Sequence, residues 1–351
     1  MGKDITVGMD MGDKNHNVCI LDAEGNVLKR ATVANTVQAI GKFFGGMEPC
    51  KVAMEAGTHS SWVSRTLEAL GHEVLVGNPR KLRVIWDSNE KHDDRDAEML
   101  ARIARLDPHL LHPIHHRGQQ AQTDLAIVKG RDMLVKTRSM LVAHVRGVVK
   151  STGQRITKCS AESFHVRLRM EMPMELQPAL EPIMKSLEDL TCRIRHYDKL
   201  IESVCTGKYP ETQGLRAISG VGPVTALAYV LTIEESTRFD QSRTVGPFLG
   251  LTPKRDQSGQ TDKQLRITKA GDVYLRRLLV GSAQYILGPF GPDCDLRQFG
   301  LKLAARGGKN AKRRAVVAVA RKLAVMMHRL WKSAAVYDPF YQQNRKQRKA
   351  A

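Results

Sequence analysis

Apolar and polar positions over the first hundred residues alternate between the periods of strands and of helices. The runs DITVGMDMG and HNVCILDAEGNVLKRATV predict three strands, the last two joined by a turn at Ala23–Asn26 as in a β-hairpin. After them the pattern alternates between strand and helix. Helices are predicted from 36 to 47, 60 to 71, 80 to 87 and 94 to 106, and strands from 50 to 56 and 72 to 78.

This succession of elements indicates an α/β fold. Three leading strands in hairpin order, followed by β–α alternation, predict a mixed sheet with helices on its faces. That is the order of the ribonuclease-H-like fold, in which the first and fourth strands are neighbours and the last helix crosses their ends. The predicted domain covers residues 1–112, and the HPIHHR segment at 112–117 is expected to be a solvated loop.

Residues 119–205 follow the period of long, paired helices instead. Two apolar rows recur every seven residues in the first part, and one seam alternates steps of four and three in the second. The rows are Ile127, Leu134, Leu141, Val148 and Val128, Val135, Val142, Val149, and the seam is Ile183, Leu187, Leu190, Ile194, Tyr197, Ile201, Val204. Pro178 and Pro182 mark the start of the second helix, so a coiled-coil linker is predicted over 113–210. The helices pair with each other or with another subunit, and an ordinary helical hairpin fits the same pattern.

A mainly α C-terminal domain is predicted from 211 to 335, followed by a basic tail from 336 to 351. In its motif LRAISGVGPVTALAYVL a Gly-Val-Gly turn joins two short helices, as in a helix-hairpin-helix. Amides at the start of the second helix can bind a DNA phosphate without reading bases, so Gly220, Gly222 and Thr225 are candidate nucleic-acid contacts. A plain tight turn between packed helices is the alternative.

Positive charge is concentrated at the C-terminal end. The net charge is +19, and residues 301–351 hold 14 Lys and Arg against one acid, Asp338, which makes +13 of that total. Cations alternate with apolar residues there, so a basic helix with Lys312, Arg313 and Arg314 predicts nucleic acid as partner, rather than a membrane surface. No apolar run is long enough to span a bilayer. Six scattered cysteines without a Cys-x-x-Cys pair favour a reducing cytoplasm.

Four acids predict a metal-dependent active site in the first domain. Asp10 lies in the first strand, Glu55 ends the fourth, and Asp93 and Asp96 lie three apart at the start of a helix. A ribonuclease-H-like sheet would bring these places together, and four clustered carboxylates repel one another unless a divalent cation binds them. Mg²⁺ prefers such oxygen ligands, and two ions can clamp both oxygens of a phosphodiester displacement. Taken singly, the acids are weak evidence: Asp93 and Asp96 could simply cap a helix N-terminus, where acids are favoured, and only the combined pattern indicates a metal site.

The order of motifs resembles a known family. The segments are GMDMGDKNHNVCILDAEGNV, MEAG, KHDDRDAEMLAR, GVGPVTA, FLGLTPKRDQSGQ and ITKAGDVYLRRLLV. Together they are similar to the DEDD insertion-sequence transposases of the IS-one-ten type and its IS-eleven-eleven branch, over nearly the whole chain except the helical connection and the tail. The resemblance implies a RuvC-like N-terminal domain whose metal-binding tetrad is Asp10, Glu55, Asp93 and Asp96, and a C-terminal transposase domain with a catalytic serine.

The second half of the active site is expected in the polar, basic segment 248–271. Ser258 follows several cations there, and an exposed serine beside cations can attack a phosphate, although most loop serines only form turns. The resemblance implies that Ser258 is the catalytic serine. Five cations are expected to bind backbone phosphates rather than form a merely solvated face: Lys254, Arg255, Lys269, Arg276 and Arg277.

The resemblance further implies a composite mechanism. Mg²⁺ in the tetrad orients the scissile phosphate, Ser258 forms a phosphoserine link to DNA with release of a 3′-hydroxyl, and the strands are exchanged and rejoined. Members of the family use an element-encoded noncoding RNA and combine half-sites from different subunits, so a guide RNA and a homodimer assembling to a tetramer are expected, in the bacterial cytoplasm at the nucleoid. Two other functions fit the residues: a Holliday-junction-type nuclease that uses the tetrad alone, and a non-catalytic nucleic-acid-binding scaffold.

Overall fold

The structure, a computed structural model, describes residues 5–82, 93–259 and 261–350. The chain divides into two compact units, Met1–Arg117 and Gly118–Ala351. The second unit contains most of the predicted linker, and the whole of the predicted C-terminal domain and tail. None of the helices in the described ranges is both long and apolar enough to cross a membrane.

A five-stranded mixed sheet forms the first unit. Its order is β3-β2-β1-β4-β5. Strand β2 pairs antiparallel with β1 and β3, whereas β4 pairs parallel with β1 and β5. The predicted α/β class and the leading hairpin are confirmed. The strands are β1 (Thr6–Met11), β2 (Asn15–Leu21), β3 (Val27–Ala34), β4 (Lys51–Glu55) and β5 (Glu73–Gly77).

Helices cover both faces of this sheet. Val7 and Met54 point toward α1 and α2, where they share a core with Phe44. Because side chains alternate along a strand, Cys19 and Ala53 lie on the opposite face, against α3. The helices are α1 (Val37–Phe44), α2 (Ser60–Ala69) and α3 (Asp93–Leu106). The helix predicted from 80 to 87 lies mostly outside the described residues.

The HPIHHR segment is a loop that contacts the sheet at one residue. Ile114 bridges Val76 of β5, with the Ile114 amide donating to the Val76 carbonyl at 2.8 Å. The Asn78 amide donates to the Leu111 carbonyl at 3.0 Å. Strand β5 is at the sheet edge, where unpaired backbone groups favour such an addition. His112, Pro113 and His115 are exposed and without regular structure, so the segment is the expected loop except for the Ile114 bridge. The first unit extends to Arg117.

Two long helices of the second unit form an antiparallel arm. Helices α4 (Gln119–Ser151) and α6 (Gln177–Lys208) pack against each other. Asp124 pairs with Lys208 at 3.1 Å near one end, and Arg131 pairs with Asp198 at 2.5 Å further along. The two predicted helices thus pair within one chain. A short helix that the sequence pattern did not predict, α5 (Phe164–Glu171), lies in the connection.

The buried row of α6 agrees only in part with the predicted seam. Leu187, Ile194 and Ile201 are buried as predicted. Met184 and Thr191 are also buried, whereas the seam predicted their neighbours Ile183 and Leu190. Arg138 Nη1 of α4 donates to Thr191 Oγ1 at 3.3 Å, which gives the inward threonine a polar partner. Pro178 is in the first turn, as predicted, and Pro182 lies inside the helix.

The remaining helices of the second unit include α8, which is buried in its core. Every residue of α8 from Thr225 to Ile233 is buried, and the Tyr229 hydroxyl donates to the Ala324 carbonyl of α12 at 2.6 Å. The helices are α7 (Thr212–Arg216), α8 (Pro223–Ile233), α9 (Val245–Phe248), α10 (Val273–Leu287), α11 (Asp295–Ala304), α12 (Ala311–Ser333) and α13 (Tyr341–Ala350). Single 3₁₀ turns occupy Pro108–Leu111, Met174–Leu176, Ser236–Arg238 and Ser242–Thr244. This confirms a helical C-terminal part.

A two-stranded hairpin interrupts these helices. Strands β6 (Pro253–Ser258) and β7 (Thr261–Ile267) pair antiparallel between α9 and α10. Every residue of β6 is exposed. The sequence predicted only a polar segment here, because a ribbon that buries neither face shows no alternation of apolar and polar residues.

Candidate active site

Parallel strands β1 and β4 bring two of the predicted acids side by side. Met9 of β1 is in register with Met54 of β4, so Asp10 and Glu55 are the next residues on these adjacent strands. Gly8 and Ala53 precede the two acids by two residues and lie against α3. By alternation Asp10 and Glu55 lie on that same face, at the carboxyl ends of their strands. Both acids are half-buried.

A close approach of helix α3 to strand β1 adds the third acid. A β-carbon at Gly8 would overlap the carbonyl oxygen of Ala97 and lie 2.6 Å from the Ala101 amide nitrogen. Only glycine permits this distance between the two backbones. Asp96, the residue before Ala97, is 8% exposed. Gly8 was not among the residues singled out from the sequence, although a glycine inside a strand is the signal of such an approach.

The three carboxylates interact electrostatically. Burial, followed by the charges of Asp10 and Asp96, raises the pKa of Glu55 from 4.5 to about 7. Like charges within a few ångströms disfavour ionisation of their neighbour. The structure therefore brings together Asp10, Glu55 and Asp96, from three separate segments of the sequence.

The acids of this cluster are candidate ligands for a divalent cation. Asp93 is the first residue of α3, and its side chain lies outside what the structure describes. Among the described residues, no three His, Cys, Asp or Glu side chains are arranged as a ready-made metal site. The donor type nevertheless fits Mg²⁺, which binds carboxylate oxygens and retains several waters. A divalent cation would also offset the repulsion that raises the Glu55 pKa.

Ser258 lies at the tip of the β6–β7 hairpin. It pairs with Thr261 across a turn that begins at Gly259, whose φ is +52°. The serine is exposed, and the hairpin displays it away from the helical core of its unit. Arg255 and Asp262 form a two-bond pair across the strands, with Nε–Oδ1 at 2.8 Å and Nη2–Oδ2 at 2.7 Å. Arg255 thus has a carboxylate partner, whereas Lys254 is exposed beside it.

Arg276 is buried and bonded to backbone carbonyls, whereas a phosphate contact would be exposed. It is 8% exposed, and its Nη1 donates to the Leu249 carbonyl at 2.9 Å and to the Ala270 carbonyl at 2.5 Å. These two carbonyls belong to the segments that enter and leave the hairpin. Arg276 therefore positions the base of the hairpin, and the expectation that it binds a phosphate is corrected.

The two chain segments at the hairpin base touch through glycine backbones. Gly250 and Gly271 have φ of +65° and +67°, and a β-carbon on either would overlap backbone atoms of the other segment. Lys269, a predicted phosphate contact, also has a positive φ of +56°. A non-glycine residue in this conformation is held there by its surroundings. The base of the hairpin is thus fixed by backbone contacts on both sides of Arg276.

Arg277 points to the arm. Its guanidinium pairs with Asp132 of α4 and lies 5.1 Å from the ring centroid of Tyr274. Asp132 also pairs with Lys136 at 2.8 Å. A guanidinium has five N–H donors, so this pairing holds the side chain in place and leaves donors for another acceptor.

The predicted glycine turn has the geometry of a tight connection between helices. Gly220 has a φ of +87°, and Gly222 is the N-cap of α8. That cap has no side-chain hydrogen bond, and Pro223 opens the helix. Thr225 is in the first turn and 8% exposed.

Three of the predicted cations lie in the first turn of α12. Lys312, Arg313 and Arg314 are all exposed. A helix N-terminus carries partial positive charge, so cations there are electrostatically unfavourable unless an anion binds. Their position is that expected of a surface for a polyanion.

Comparison with known proteins agrees with this arrangement. A transposase model of the DEDD type matches residues 7–153, which include the sheet unit, and a model described as transposase of the IS116/IS110/IS902 family matches residues 212–292. A probable family 20 transposase of Pseudomonas aeruginosa is 29% identical over 346 residues, covering 95% of this chain and 98% of the relative. The transposase for insertion sequence element IS1111A of Coxiella burnetii is 29% identical over 334 residues, covering 91% and 88%. Both units of this chain thus match models of insertion-sequence transposases, the DEDD type in residues 7–153 and the IS116/IS110/IS902 family in residues 212–292.

Proposed function

We propose that this protein recombines the DNA of an insertion sequence with an acidic Mg²⁺ site and a serine nucleophile, guided by an RNA that the element encodes. As a transposase it is an enzyme that cleaves and transfers DNA strands. The acids are Asp10, Glu55, Asp93 and Asp96, and the nucleophile is Ser258.

The observation that carries the proposal is the convergence of acids from separate segments. Asp10 and Glu55 follow the paired residues Met9 and Met54 on adjacent strands, and Asp96 lies on the helix that packs against Gly8. Burial, followed by the charges of Asp10 and Asp96, raises the pKa of Glu55. A fold without a use for this cluster would gain stability by replacing one member with a neutral residue. Mg²⁺ bound there would stabilise charge on a scissile phosphate. The carboxylates would orient that phosphate by holding the ions.

Ser258 supplies the covalent step in this proposal. Its hydroxyl oxygen attacks the phosphorus, the bond from phosphorus to the 3′-oxygen breaks, and the serine proton is lost to solvent or a base. The departing 3′-oxygen takes up a proton and becomes a 3′-hydroxyl, and the 5′-phosphate stays on the serine as a phosphodiester. Exposure at a hairpin tip suits a nucleophile that must reach a DNA strand.

Several cations and the glycine turn are proposed to hold nucleic acid. They are Gly220, Gly222, Thr225, Lys254, Arg255, Lys269, Arg277, Lys312, Arg313 and Arg314. The first turn of α12 supports this most directly, because three adjacent cations at a positive helix end favour a bound polyanion. A guide RNA and a dimer that assembles to a tetramer are proposed from the family resemblance. The arm and the turn are proposed to act as a coiled coil and a helix-hairpin-helix.

One experiment separates this function from its alternatives. The full-length protein is incubated with end-labelled element DNA, the element's adjacent noncoding RNA and Mg²⁺, and protein–DNA adducts are resolved by denaturing electrophoresis. Wild type is expected to form an adduct that Ser258→Ala and Asp10→Asn lose, whereas Ser139→Ala, an exposed serine on α4, retains it. If wild type cleaves DNA without forming an adduct, and Ser258→Ala still cleaves, the protein would instead be a nuclease that uses the tetrad alone. Binding without cleavage in wild type would indicate a scaffold.

A further inference from the structure

A groove of about 620 Å³ lies where α7, the glycine turn, the start of α8 and α10 meet. Its walls carry polar, cationic and aromatic groups together. The lining residues used below are Arg216, Gly220, Thr225, Arg277, Ser282 and Tyr285. In the part of the chain that the structure describes, no Asp or Glu lines the groove.

Two buried hydroxyl side chains line this groove without a partner. Thr225 is 8% exposed and Ser282 is 5% exposed. Neither hydroxyl forms a hydrogen bond with a described residue, and neither is among the side-chain polar atoms fully enclosed without a partner, so both are open to the groove. The start of α8 adds backbone donors, because its N-cap Gly222 provides no side-chain acceptor for the first-turn amides. The groove is thus lined by several hydrogen-bond donors.

The two arginines at its rim are held in place by carboxylates outside it. Arg216 Nη1 donates to Glu202 at 2.7 Å, and Arg277 pairs with Asp132. Each pairing uses part of a guanidinium's five donors. The remaining N–H groups can bind an anion with little loss of side-chain freedom, because the side chains are already ordered.

Tyr285 adds an aromatic surface next to these donors. It is 47% exposed, so much of the ring is open to solvent beside the groove. Its Cδ1 would lie 3.0 Å from a β-carbon at Gly220, so the ring rests on the glycine turn itself. Donors for a phosphate and an exposed ring beside them are the two features with which proteins bind unpaired nucleotides.

We propose that this groove binds one nucleotide of an unpaired nucleic-acid strand. The phosphate is bound by the hydroxyls of Thr225 and Ser282, the first-turn amides of α8 and the rim arginines, and the base stacks on Tyr285. In a duplex the faces of each base are covered by its neighbours, so the ring has no base to stack on. The proposal rests on nucleic acid being the partner under the proposed function, and it adds the class of strand and a residue that reads it.

The test compares binding of single-stranded and double-stranded DNA to the full-length protein. Fluorescein-labelled oligo-dT of 20 nucleotides and a 20-base-pair duplex are titrated by fluorescence anisotropy at fixed salt. Tyr285→Ala is expected to weaken single-strand binding about tenfold, the effect of losing one stacked base, and to leave duplex binding within about twofold. Tyr285→Phe keeps the ring and is expected to bind as wild type. Phe290→Ala removes an exposed aromatic that does not line the groove, and is expected to change neither affinity.

Other variants keep the outcome clear. Ser282→Ala, which preserves the ring, is expected to weaken single-strand binding severalfold and serves if Tyr285→Ala does not fold. Unchanged single-strand binding in both variants, or an equal loss for duplex, would overturn the groove assignment. The anisotropy assay measures binding alone and does not depend on strand cleavage. If wild type forms no DNA adduct, the catalytic proposal is contradicted. The anisotropy titrations still test separately whether the groove binds an unpaired nucleotide.

Discussion

The Gly8 backbone in β1 lies directly beneath the carbonyl oxygen of Ala97 in α3, so closely that a β-carbon at Gly8 would overlap that oxygen. We expect Gly8→Ala to push α3 away from the sheet. Backbone atoms cannot swing aside as a flexible side chain can, so the substitution should destabilise the protein by about 3 kcal/mol. Thermal denaturation measures this, and the same displacement of Asp96 should abolish Mg²⁺-dependent cleavage.

A glycine elsewhere in the same unit provides the control. Nothing lies within 4 Å of a β-carbon at Gly41 in α1. Gly41→Ala should therefore stabilise the protein by up to about 1 kcal/mol through helix propensity. Equal effects of the two substitutions would contradict a specific contact between Gly8 and α3.

The raised pKa of Glu55 predicts how stability depends on pH. The folded protein holds this proton up to about pH 7 and the unfolded chain releases it near 4.5. The Glu55 contribution to stability therefore falls as pH rises between these values and stays low above them. Fully transmitted, the shift corresponds to about 3 kcal/mol, and screening by water at this half-buried side chain reduces that to about 1–2 kcal/mol. Without Mg²⁺, Glu55→Gln should be more stable than wild type at pH 8 and not at pH 4.

Glu98 on the same helix provides a control of opposite sign. Hydrogen bonds from Arg102 and Arg30 lower the pKa of Glu98 below its usual value. The stabilising contribution of Glu98 is present above its usual pKa and is lost as pH falls, so Glu98→Gln should destabilise the protein at pH 8 and have little effect in acid.

Mg²⁺ should stabilise wild type at pH 8 more than it stabilises Glu55→Gln. A difference between wild type and Glu55→Gln that does not change from pH 4 to pH 8 would refute the clustering.

The sequence predicted the first unit better than the second, for a physical reason. Strands such as β1 bury a full face, so their apolar pattern and the position of Asp10 are set locally. The hairpin that carries Ser258 buries neither face and leaves no such pattern. The role of Arg276 depends on carbonyls at Leu249 and Ala270, and a sequence does not show which acceptor a cation meets. Tyr285 was missed because its exposure results from tertiary packing.

Arg276 should control the order of the Ser258 hairpin without touching DNA. Arg276→Met leaves the Leu249 and Ala270 carbonyls without their shared donor, a loss of about 1–3 kcal/mol for each buried acceptor. Amides of 253–267 should then exchange with solvent at least about tenfold faster, and adduct formation should slow. Hydrogen exchange read by mass spectrometry checks this. Arg255→Met, which removes only the exposed pair with Asp262, should change exchange much less. Protection unaffected by Arg276→Met would contradict the positioning role.

The register of the arm can be tested by replacing each of two leucines of α6 with alanine in separate variants. Leu180 is 1% exposed although the predicted seam omitted it, and Leu190 is only partly buried although the seam included it. Leu180→Ala removes contacts with Val145 and Phe164 in the core at the end of the arm, so it should destabilise by about 3 kcal/mol, the usual range for a buried leucine. Leu190→Ala should cost about 1 kcal/mol or less, because water already reaches its side chain. Chemical denaturation compares the two. If Leu190→Ala proved the more harmful, Ile183 and Leu190 would face the partner helix as the heptad pattern predicts, and the buried row through Met184 and Thr191 would be contradicted.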